Sequence, residues 1–215
     1  MIEIKNLVAL YNDLIVLDNI SFNVSNEIVS ILGPSGVGKT TLLKCIAGIN
    51  KYKGEINSGD LKISYIFQEA RLVSSLSVYD NLKLVSDDLE SIDELLKIFE
   101  LEDIKNKYAS KISGGEMQRV NIARAFAYKP NLILVDEAFN SLDIGLKHRI
   151  FDKIKALRDK NPIPMIVVTH DLMDAVELGN HYIIINDCKI VLDYTKESES
   201  NDFVYNKLLS ILKEI

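Results

Sequence analysis

The stretch that decides the fold is Gly33-Pro34-Ser35-Gly36-Val37-Gly38-Lys39-Thr40, a glycine-rich loop between an apolar run and a predicted helix. The apolar run, Glu27 to Leu32, predicts a strand, and the helix is expected over Thr40 to Ala47. Glycines let backbone N–H groups approach phosphates closely, Lys39 supplies a charge for the β and γ phosphates, and the Thr40 hydroxyl suits Mg²⁺. Thr41 is expected at the α phosphate. A plain surface turn is the alternative, and the strand–loop–helix context favours a nucleotide site.

A second glycine-bearing stretch, Ile112-Ser113-Gly114-Gly115-Glu116-Met117-Gln118-Arg119, lies further along the chain and also opens a predicted helix. Two such helix N-termini make two anion sites, although one nucleotide per chain needs only one of them. The second site is explained if it binds the nucleotide of another copy of the protein. Ser113 and Glu116 also fit a capping box. That interpretation leaves two consecutive glycines unexplained, because glycine weakens a helix start. They make sense if the backbone approaches another chain's γ phosphate.

A third motif is the apolar run Leu132-Ile133-Leu134-Val135, which ends in the carboxylates Asp136 and Glu137. Ligands of open α/β sheets bind at the carboxyl ends of the strands. We expect Asp136 to hold Mg²⁺, directly or through water, and Glu137 to polarise the attacking water. The alternative is an exposed strand end that keeps two acids for solubility, and the phosphate loop upstream disfavours it.

Strand and helix patterns alternate, which predicts an α/β sheet interrupted by a helical insert. A capping box, Ser91-Ile92-Asp93-Glu94, is expected to open one helix of the insert. The remaining predicted strands are Ile2 to Val8, Ser21 to Val24, Ile63 to Phe67, Met165 to Val168 and Tyr182 to Asn186, and the remaining helices are Gly145 to Asp159, Leu172 to Leu178 and a C-terminal one.

Composition narrows the class of protein. The chain has 215 residues, 47% hydrophobic and 26% charged, which is an ordinary soluble balance for one domain. The net charge of −6 comes without a long run of Lys or Arg, so no nucleic-acid partner is expected. No apolar run reaches the ~18 residues that span a bilayer, and the N-terminus lacks a signal layout. We expect a cytoplasmic protein, at most docked on a membrane by another protein.

The two cysteines and two of the histidines do not indicate a functional site. Cys45 and Cys188 show no metal-ligand spacing, and Cys45 falls in an apolar helix, so it is expected to be a buried free thiol. His148 and His181 are expected to be surface or helix-end residues.

Taken together, these motifs resemble the ATP-binding cassette (ABC) family along nearly the whole chain. The resemblance implies a P-loop NTPase (RecA-like) core with an antiparallel β part near the N-terminus and an inserted α-helical subdomain. The expected boundaries are a core of residues 1–68 and 129–195, a helical subdomain at about 69–128 and a C-terminal helix at 201–215.

Four further residues take roles from this resemblance alone. Gln68 matches the glutamine that senses metal and water and links the core to the insert. His170, after Val167-Val168-Thr169, matches the histidine that contacts the γ phosphate. Asp143 matches the acidic residue of the loop that crosses the dimer, and it can equally cap the next helix. Tyr11, between the first predicted strands, matches the aromatic residue that stacks on adenine.

The resemblance implies an ATPase that works as a head-to-tail homodimer, with Mg²⁺ and ATP clamped between two copies. It also implies an integral membrane permease, reached through the helical insert, and an extracytoplasmic solute-binding protein. The residues assigned are Glu137, His170, Gln68 and Lys39 for catalysis; Thr40, Gln68 and Asp136 for the metal; Tyr11 and Gly33 to Thr41 for the nucleotide; and Ser113, Gly114, Gly115, Glu116 and Asp143 for the partner's nucleotide.

A finer resemblance concerns the cargo. Phe67-Gln68-Glu69-Ala70-Arg71-Leu72 and Glu137-Ala138-Phe139 look like the nitrate, sulfonate and taurine importer group, whose ATPases are similar to those for vitamin precursors. Ala138 replaces a common proline, Val73-Ser74-Ser75 replaces a stretch that often contains proline, and Asn140-Ser141 replaces a Ser-Ala pair. No added C-terminal regulatory domain is expected. The alternatives are an iron–sulfur assembly or cell-division ABC ATPase and a lipoprotein-type exporter ATPase.

Overall fold

The computed structural model describes residues 1–12, 14–57, 59 and 61–215, and the chain divides into two compact units. Unit 1 comprises residues 1–61 and 162–215, and unit 2 comprises residues 62–161. The strands are, in chain order, β1 (Ile2–Tyr11), β2 (Leu14–Val24), β3 (Ile28–Leu32), β4 (Lys53–Asn57), β5 (Ile63–Ile66), β6 (Leu132–Asp136), β7 (Met165–Val168), β8 (His181–Asn186) and β9 (Lys189–Thr195). The α-helices are α1 (Lys39–Ile46), α2 (Val78–Lys83), α3 (Leu89–Ile98), α4 (Gly114–Ala127), α5 (Ile144–Lys160), α6 (Leu172–Leu178) and α7 (Asn201–Glu214).

Unit 1 contains an antiparallel sheet in the order β2-β1-β4. The first two strands are longer than the sequence predicted, because bulges interrupt their alternation. Asn6 and Asn19 take left-handed φ values of +49° and +57°, and the β1–β2 register shifts between Ile4 and Leu7. An inserted residue reverses which side chains face inwards, so the period-two pattern is lost without the strand ending.

Unit 1 also contains the strand series β7-β3-β8-β9, in which β3 pairs in parallel with β7 and β8 and the last pair is antiparallel. Every residue of β3 and β7 is buried, as expected for strands with near-continuous apolar sequence. The expected C-terminal helix is present as α7, and its Val204 and Leu208 join a buried cluster with Tyr182 of β8.

His181 is not at the surface, so that prediction was wrong. Its side chain is buried at the start of β8, where Nε2 lies 2.6 Å from Asp193 Oδ1 and Nδ1 lies 3.7 Å from Glu27 Oε1. The hydrogen bond with Asp193 therefore satisfies a polar atom of the buried imidazole. His148 is exposed and Cys45 is buried, as predicted, and burial raises the pKa of the Cys45 thiol to about 11.

Unit 2 contains the parallel pair β5–β6 and helices α2 to α5. The predicted capping box with Ser91 as N-cap was wrong, because α3 begins three residues earlier than that box requires. Asp88 is the N-cap and accepts from Ser91 N at 3.0 Å. Lys129 holds the same carboxylate at 2.6 Å and lowers its pKa through a side-chain hydrogen bond, which favours the charged cap. Within the described ranges, no helix is both long and apolar enough to cross a membrane.

Candidate functional site

The predicted site residues fall into two sets, one in each unit. The phosphate loop, Tyr11 and His170 belong to unit 1. Gln68, Asp136, Glu137, the glycine pair of α4 and Asp143 belong to unit 2. The set in unit 1 is suited to phosphate binding, and the set in unit 2 supplies carboxylates and a bare helix N-terminus.

The phosphate loop of unit 1 connects the buried strand β3 to α1. Lys39, the first residue of α1, is buried, and its Nζ donates to the carbonyl oxygens of Gly33 and Pro34 at 2.8 Å each. Two carbonyl groups of the loop therefore hold the Lys39 ammonium near the N-terminus of α1. A positive charge and a helix N-terminus at one place bind an anion.

Two glycines of the loop are required by close approaches. Gly33 has φ +142°, and a Cβ there would collide with the Ile185 carbonyl oxygen of β8. Gly38 has φ +105°, and a Cβ there would lie 2.7 Å from the Val16 carbonyl oxygen of β2. Gly38 is also the N-cap of α1, and it has no side chain that could cap the first turn. The start of this helix therefore suits a phosphate.

His170 lies at the same end of the parallel strands as the phosphate loop. Ile31 of β3 is paired with Val168 of β7, and Thr169 N donates to Ile31 O at 3.3 Å. The exposed His170 follows immediately, and Asp171 caps α6 behind it. The parallel register thus brings His170 to the edge of the sheet from which the loop leaves.

Tyr11 is the last residue of β1, paired with Leu14, so its predicted place between two strands was wrong. Its side chain is 67% exposed at the tip of the β1–β2 hairpin. The β2 carbonyl of Val16, which approaches Gly38, lies only two residues beyond Leu14. The hairpin therefore presents an exposed aromatic ring on the strand pair that lines the phosphate loop, and ring stacking is the interaction it offers.

The carboxylates of unit 2 lie at the carboxyl end of β6, beside the end of β5. Ile66 is paired with Val135, so the parallel register carries the exposed Gln68 to the same end as Asp136 and Glu137. Asp136 is buried and accepts a 3.0 Å hydrogen bond from the Tyr65 hydroxyl of β5. The two carboxylates and the Gln68 amide therefore follow neighbouring parallel strands at the same end of the β5–β6 pair.

Glu137 takes a backbone conformation that side chains rarely adopt. Its φ is +50°, and left-handed residues other than glycine cluster at functional sites. Asn140 Nδ2 donates to Glu137 Oε2 at 3.2 Å. The next two residues, Ala138 and Phe139, are buried, and Phe139 makes an edge contact with Phe151, with ring centres 4.8 Å apart. The turn is anchored by this packing, although Ala138 replaces the proline that is common there.

The start of α4 confirms the predicted capping box. Ser113 Oγ accepts from Glu116 N at 3.3 Å, and Glu116 Oε2 accepts from Ser113 N at 2.7 Å. The two glycines between them are not required by this geometry. A Cβ on Gly114 would meet no atom within 4 Å, and one on Gly115 would touch only Leu146 Cδ2, at 4.0 Å. Neither glycine is explained by crowding within the chain.

Asp143 is the N-cap of α5, as one of the two predicted roles requires, and its Oδ1 accepts from Leu146 N at 2.9 Å. A role across a dimer stays a prediction. Because the cap occupies one oxygen in a short turn, Asp143 has a fixed orientation on the surface of unit 2.

The chain segments on both sides of Gln68 are fastened to α4 by polar contacts that the sequence did not reveal. Gln118 and Asn121, both buried, donate to the Phe67 carbonyl at 3.4 and 3.5 Å. Arg124 donates to the Arg71 carbonyl at 2.7 Å. These residues recur every third position on one helix face, which is the signal that could have found them.

The segment after Gln68 is shaped by one buried amide. Asn81 Oδ1 accepts from Val73 N at 2.8 Å, and its Nδ2 donates to Val73 O at 3.1 Å and to Ser77 O at 2.9 Å. The Val73-Ser74-Ser75 stretch, which departs from the family pattern, is therefore closed by Asn81 rather than by a proline.

The donors present suit Mg²⁺. The Thr40 hydroxyl of unit 1 and the Asp136 carboxylate of unit 2 are each hard oxygen donors, the kind of ligand that Mg²⁺ prefers. Among the described residues, no group of three or more His, Cys, Asp and Glu side chains could hold a metal ion.

We expect the Glu116 carboxylate to contribute to stability in a pH-dependent way. Backbone and side-chain hydrogen bonds from Ser113 lower its pKa from 4.5, so the contribution is complete above that pH and is lost as the pH falls through the lowered value. Glu116→Gln keeps the cap but loses the charge at the helix N-terminus. Its unfolding free energy at pH 7 should be about 0.5 kcal/mol lower than that of the parent.

Urea unfolding at pH 7 and at about pH 3 checks this prediction, and the difference between the two proteins should become smaller at the lower pH. A difference that persists undiminished there would show that the carboxylate acts through packing rather than charge. Glu90→Gln removes a first-turn glutamate of α3 and should also lower stability at pH 7, because it too removes negative charge from a helix N-terminus.

Comparison with known proteins gives a consistent result. The family described as ABC transporter matches residues 17–140. The sulfate/thiosulfate import ATP-binding protein CysA of Pseudomonas syringae pv. tomato is 33% identical over 96% of this chain and 72% of its own length. The spermidine/putrescine import ATP-binding protein PotA of Thermotoga maritima is 35% identical over 88% of this chain, which spans only 57% of that relative's length.

Solved structures agree. The ATP-binding cassette MJ0796, as a dimer in a post-hydrolysis state bound to ADP and Pi, is 30% identical with a TM-score of 0.83, covering 93% of this chain and all of that one. The cbiO1 protein of Clostridium perfringens has the same TM-score at 24% identity, covering 99% of this chain and 93% of that one, and supports the fold alone. The predicted P-loop NTPase fold with antiparallel N-terminal strands is therefore confirmed.

Proposed function

This chain belongs to the ABC transporter family, and on that premise we propose that it is the ATP-hydrolysing subunit of a transporter that imports a small solute. The observation that carries the proposal is the start of α4. A complete capping box surrounds two glycines that the chain's own packing does not require. We propose that their bare backbone faces the γ phosphate of an ATP bound to a second copy.

ATP binding falls to the residues of unit 1. The first-turn N–H groups of α1 and the Lys39 ammonium bind the β and γ phosphates, so Lys39 exchanges its bonds to the loop carbonyls for phosphate oxygens. Thr41 binds the α phosphate, and Tyr11 stacks on adenine. Stacking adds roughly 0.5–1.5 kcal/mol beyond area burial, so Tyr11 orients the base rather than dominating affinity.

Hydrolysis is in-line attack of water on the γ phosphate. Glu137 orients and polarises the water, and its side chain is directed by Asn140 and by the left-handed turn. Lys39 and His170 bind the charge that spreads over the γ-phosphate oxygens. Asp136, Thr40 and Gln68 would hold Mg²⁺, and the ion would supply positive charge that neutralises the β and γ phosphates.

We propose a head-to-tail pair of this chain in which Ser113, Gly115 and Asp143 of one copy meet the nucleotide of the other. The names of the similar proteins describe import ATPases, and this supports a membrane permease as the partner. The chain would then sit on the cytoplasmic face of that permease, with a solute-binding protein outside. The motifs after Gln68 and Glu137 favour nitrate, sulfonate, taurine or a vitamin precursor as cargo.

The test is isolation of the partner. Tagged Glu137→Gln protein with MgATP is used to recover bound proteins from detergent-solubilised source membranes, with untagged protein as the control. A co-purifying polytopic membrane protein is expected, and its complex with the parent chain should take up one of these solutes into proteoliposomes when ATP is supplied. Recovery of soluble partners alone, from protein shown to bind ATP, would contradict the transporter role and favour the iron–sulfur assembly kind.

A further inference from the structure

Tyr65 reaches Asp136 from the neighbouring strand. The β5–β6 register places Tyr65 opposite Leu134, and Asp136 shares a face with Leu134 because side chains alternate along a strand. A phenol is long enough to reach such a diagonal neighbour. The Tyr65 hydroxyl thus donates to Asp136 Oδ2 at 3.0 Å, across 71 positions of sequence.

The Tyr65 ring is held in place by its neighbours. It stacks on Phe67, the residue that follows β5, with ring centres 4.2 Å apart and planes at 23°. The Arg71 guanidinium lies over the other partner of this stack, 3.9 Å from the centre of the Phe67 ring. The Phe67 carbonyl is in turn bound by Gln118 and Asn121. Because the ring is already fixed, holding the hydroxyl against Asp136 costs little additional conformational entropy.

The hydroxyl acts as a donor. A phenol carries a proton at neutral pH and an ionised carboxylate only accepts, so Tyr65 donates to Asp136. Groups that hydrogen-bond a metal ligand fix its orientation, and their loss typically weakens metal binding about 10–100-fold.

We propose that Tyr65 is a positioning residue that orients the Asp136 carboxylate for the Mg²⁺ of MgATP. The inference rests on the proposed function, which assigns Asp136 to that ion. Tyr65 does not touch the nucleotide in this role. It acts through Asp136, and it ties the orientation of that ligand to the strand that leads into Gln68.

The test measures loading rather than turnover alone. In a Glu137→Gln background, Mg²⁺ is titrated at fixed ATP, and the midpoint of thermal unfolding reports MgATP binding. Tyr65→Phe keeps the ring stack and removes the hydroxyl. We expect the Mg²⁺ concentration for half-saturation to rise about 10-fold, while ATP affinity in EDTA stays unchanged. Tyr65→Met, which fills similar space without a donor, should show the same shift.

Two controls separate the possible outcomes. Tyr182→Phe removes a buried phenol whose hydroxyl donates to the Gly179 carbonyl at 2.6 Å, and it should lower the unfolding midpoint without moving the Mg²⁺ half-saturation point. Asp136→Asn should move that point further than Tyr65→Phe. If Asp136→Asn leaves it unmoved, the metal assignment in the proposed function fails. If Asp136→Asn moves it and the Tyr65 variants do not, the role of Tyr65 is overturned and Tyr65 is a structural residue like Tyr182.

Discussion

Glu137→Gln is expected to bind ATP as the parent does and to hydrolyse it ~10²-fold or more slowly, because an amide cannot accept the proton of the attacking water. The fold should tolerate the change, since glutamine has the same length and the side chain points from a turn anchored by Ala138 and Phe139. The measurement is phosphate release at saturating MgATP, with nucleotide affinity determined separately.

The control is Glu94→Gln, an exposed glutamate of α3 that pairs with Lys160 at 3.6 Å. It makes the same chemical change away from the carboxyl end of β6 and should turn over ATP normally. Near-normal turnover in Glu137→Gln would remove Glu137 from the mechanism. Turnover lost together with ATP affinity would mean instead that the variant has disturbed the turn whose φ of +50° the parent residue adopts.

Elements with a strong local signal could be predicted from the sequence. Strand β7 (Met165–Val168) and helix α6 (Leu172–Leu178) have the predicted bounds, because their apolar pattern is unbroken and an acid caps the helix. Strands β4 and β9 were not predicted. The residues of β4 are mostly exposed. The turn before β9 has Asp187 and Cys188 at positive φ values of +44° and +65°. Glycine usually marks such a turn in a sequence, and neither position has one.

In the candidate site, too, contacts between residues close in sequence were easier to predict than contacts between distant residues. The capping box of α4 is a contact over three residues, and it was predicted correctly. The box at Ser91 has the same local pattern, and it was wrong because Asp88, three residues earlier, is also a strong N-cap residue and accepts from Ser91 N. The contacts that direct the two acids of β6 have no local signature, since Tyr65 comes from another strand and Asn140 comes from a turn that the sequence does not define. Pairings of this kind depend on strand register, which one sequence does not specify.

Gly115→Ala is expected to change stability and dimerisation in opposite directions. Position 115 is helical, and the added methyl group would meet only Leu146 Cδ2, at 4.0 Å. Alanine in place of glycine should therefore stabilise the chain by about 0.5–1 kcal/mol. In the proposed dimer the same methyl group stands between the backbone N–H donors and the partner's γ phosphate. Loss of such a donor typically costs 10²–10³-fold in rate, so turnover should fall ~10²-fold or more.

The opposite signs make this the sharper test of the α4 glycines, because a damaged fold cannot raise the unfolding free energy. Dimer formation is followed by light scattering in the Glu137→Gln background with MgATP, and stability by urea unfolding without nucleotide. Gly145→Ala is the matched control: it is the second residue of α5 as Gly115 is of α4, and its Cβ would lie an ordinary 3.6 Å from Asp143 Oδ1. Both variants should gain stability, and only Gly115→Ala should lose the dimer. If Gly115→Ala dimerises and turns over normally, the glycine pair does not face a phosphate, and α4 begins as it does only because Ser113 and Glu116 cap it.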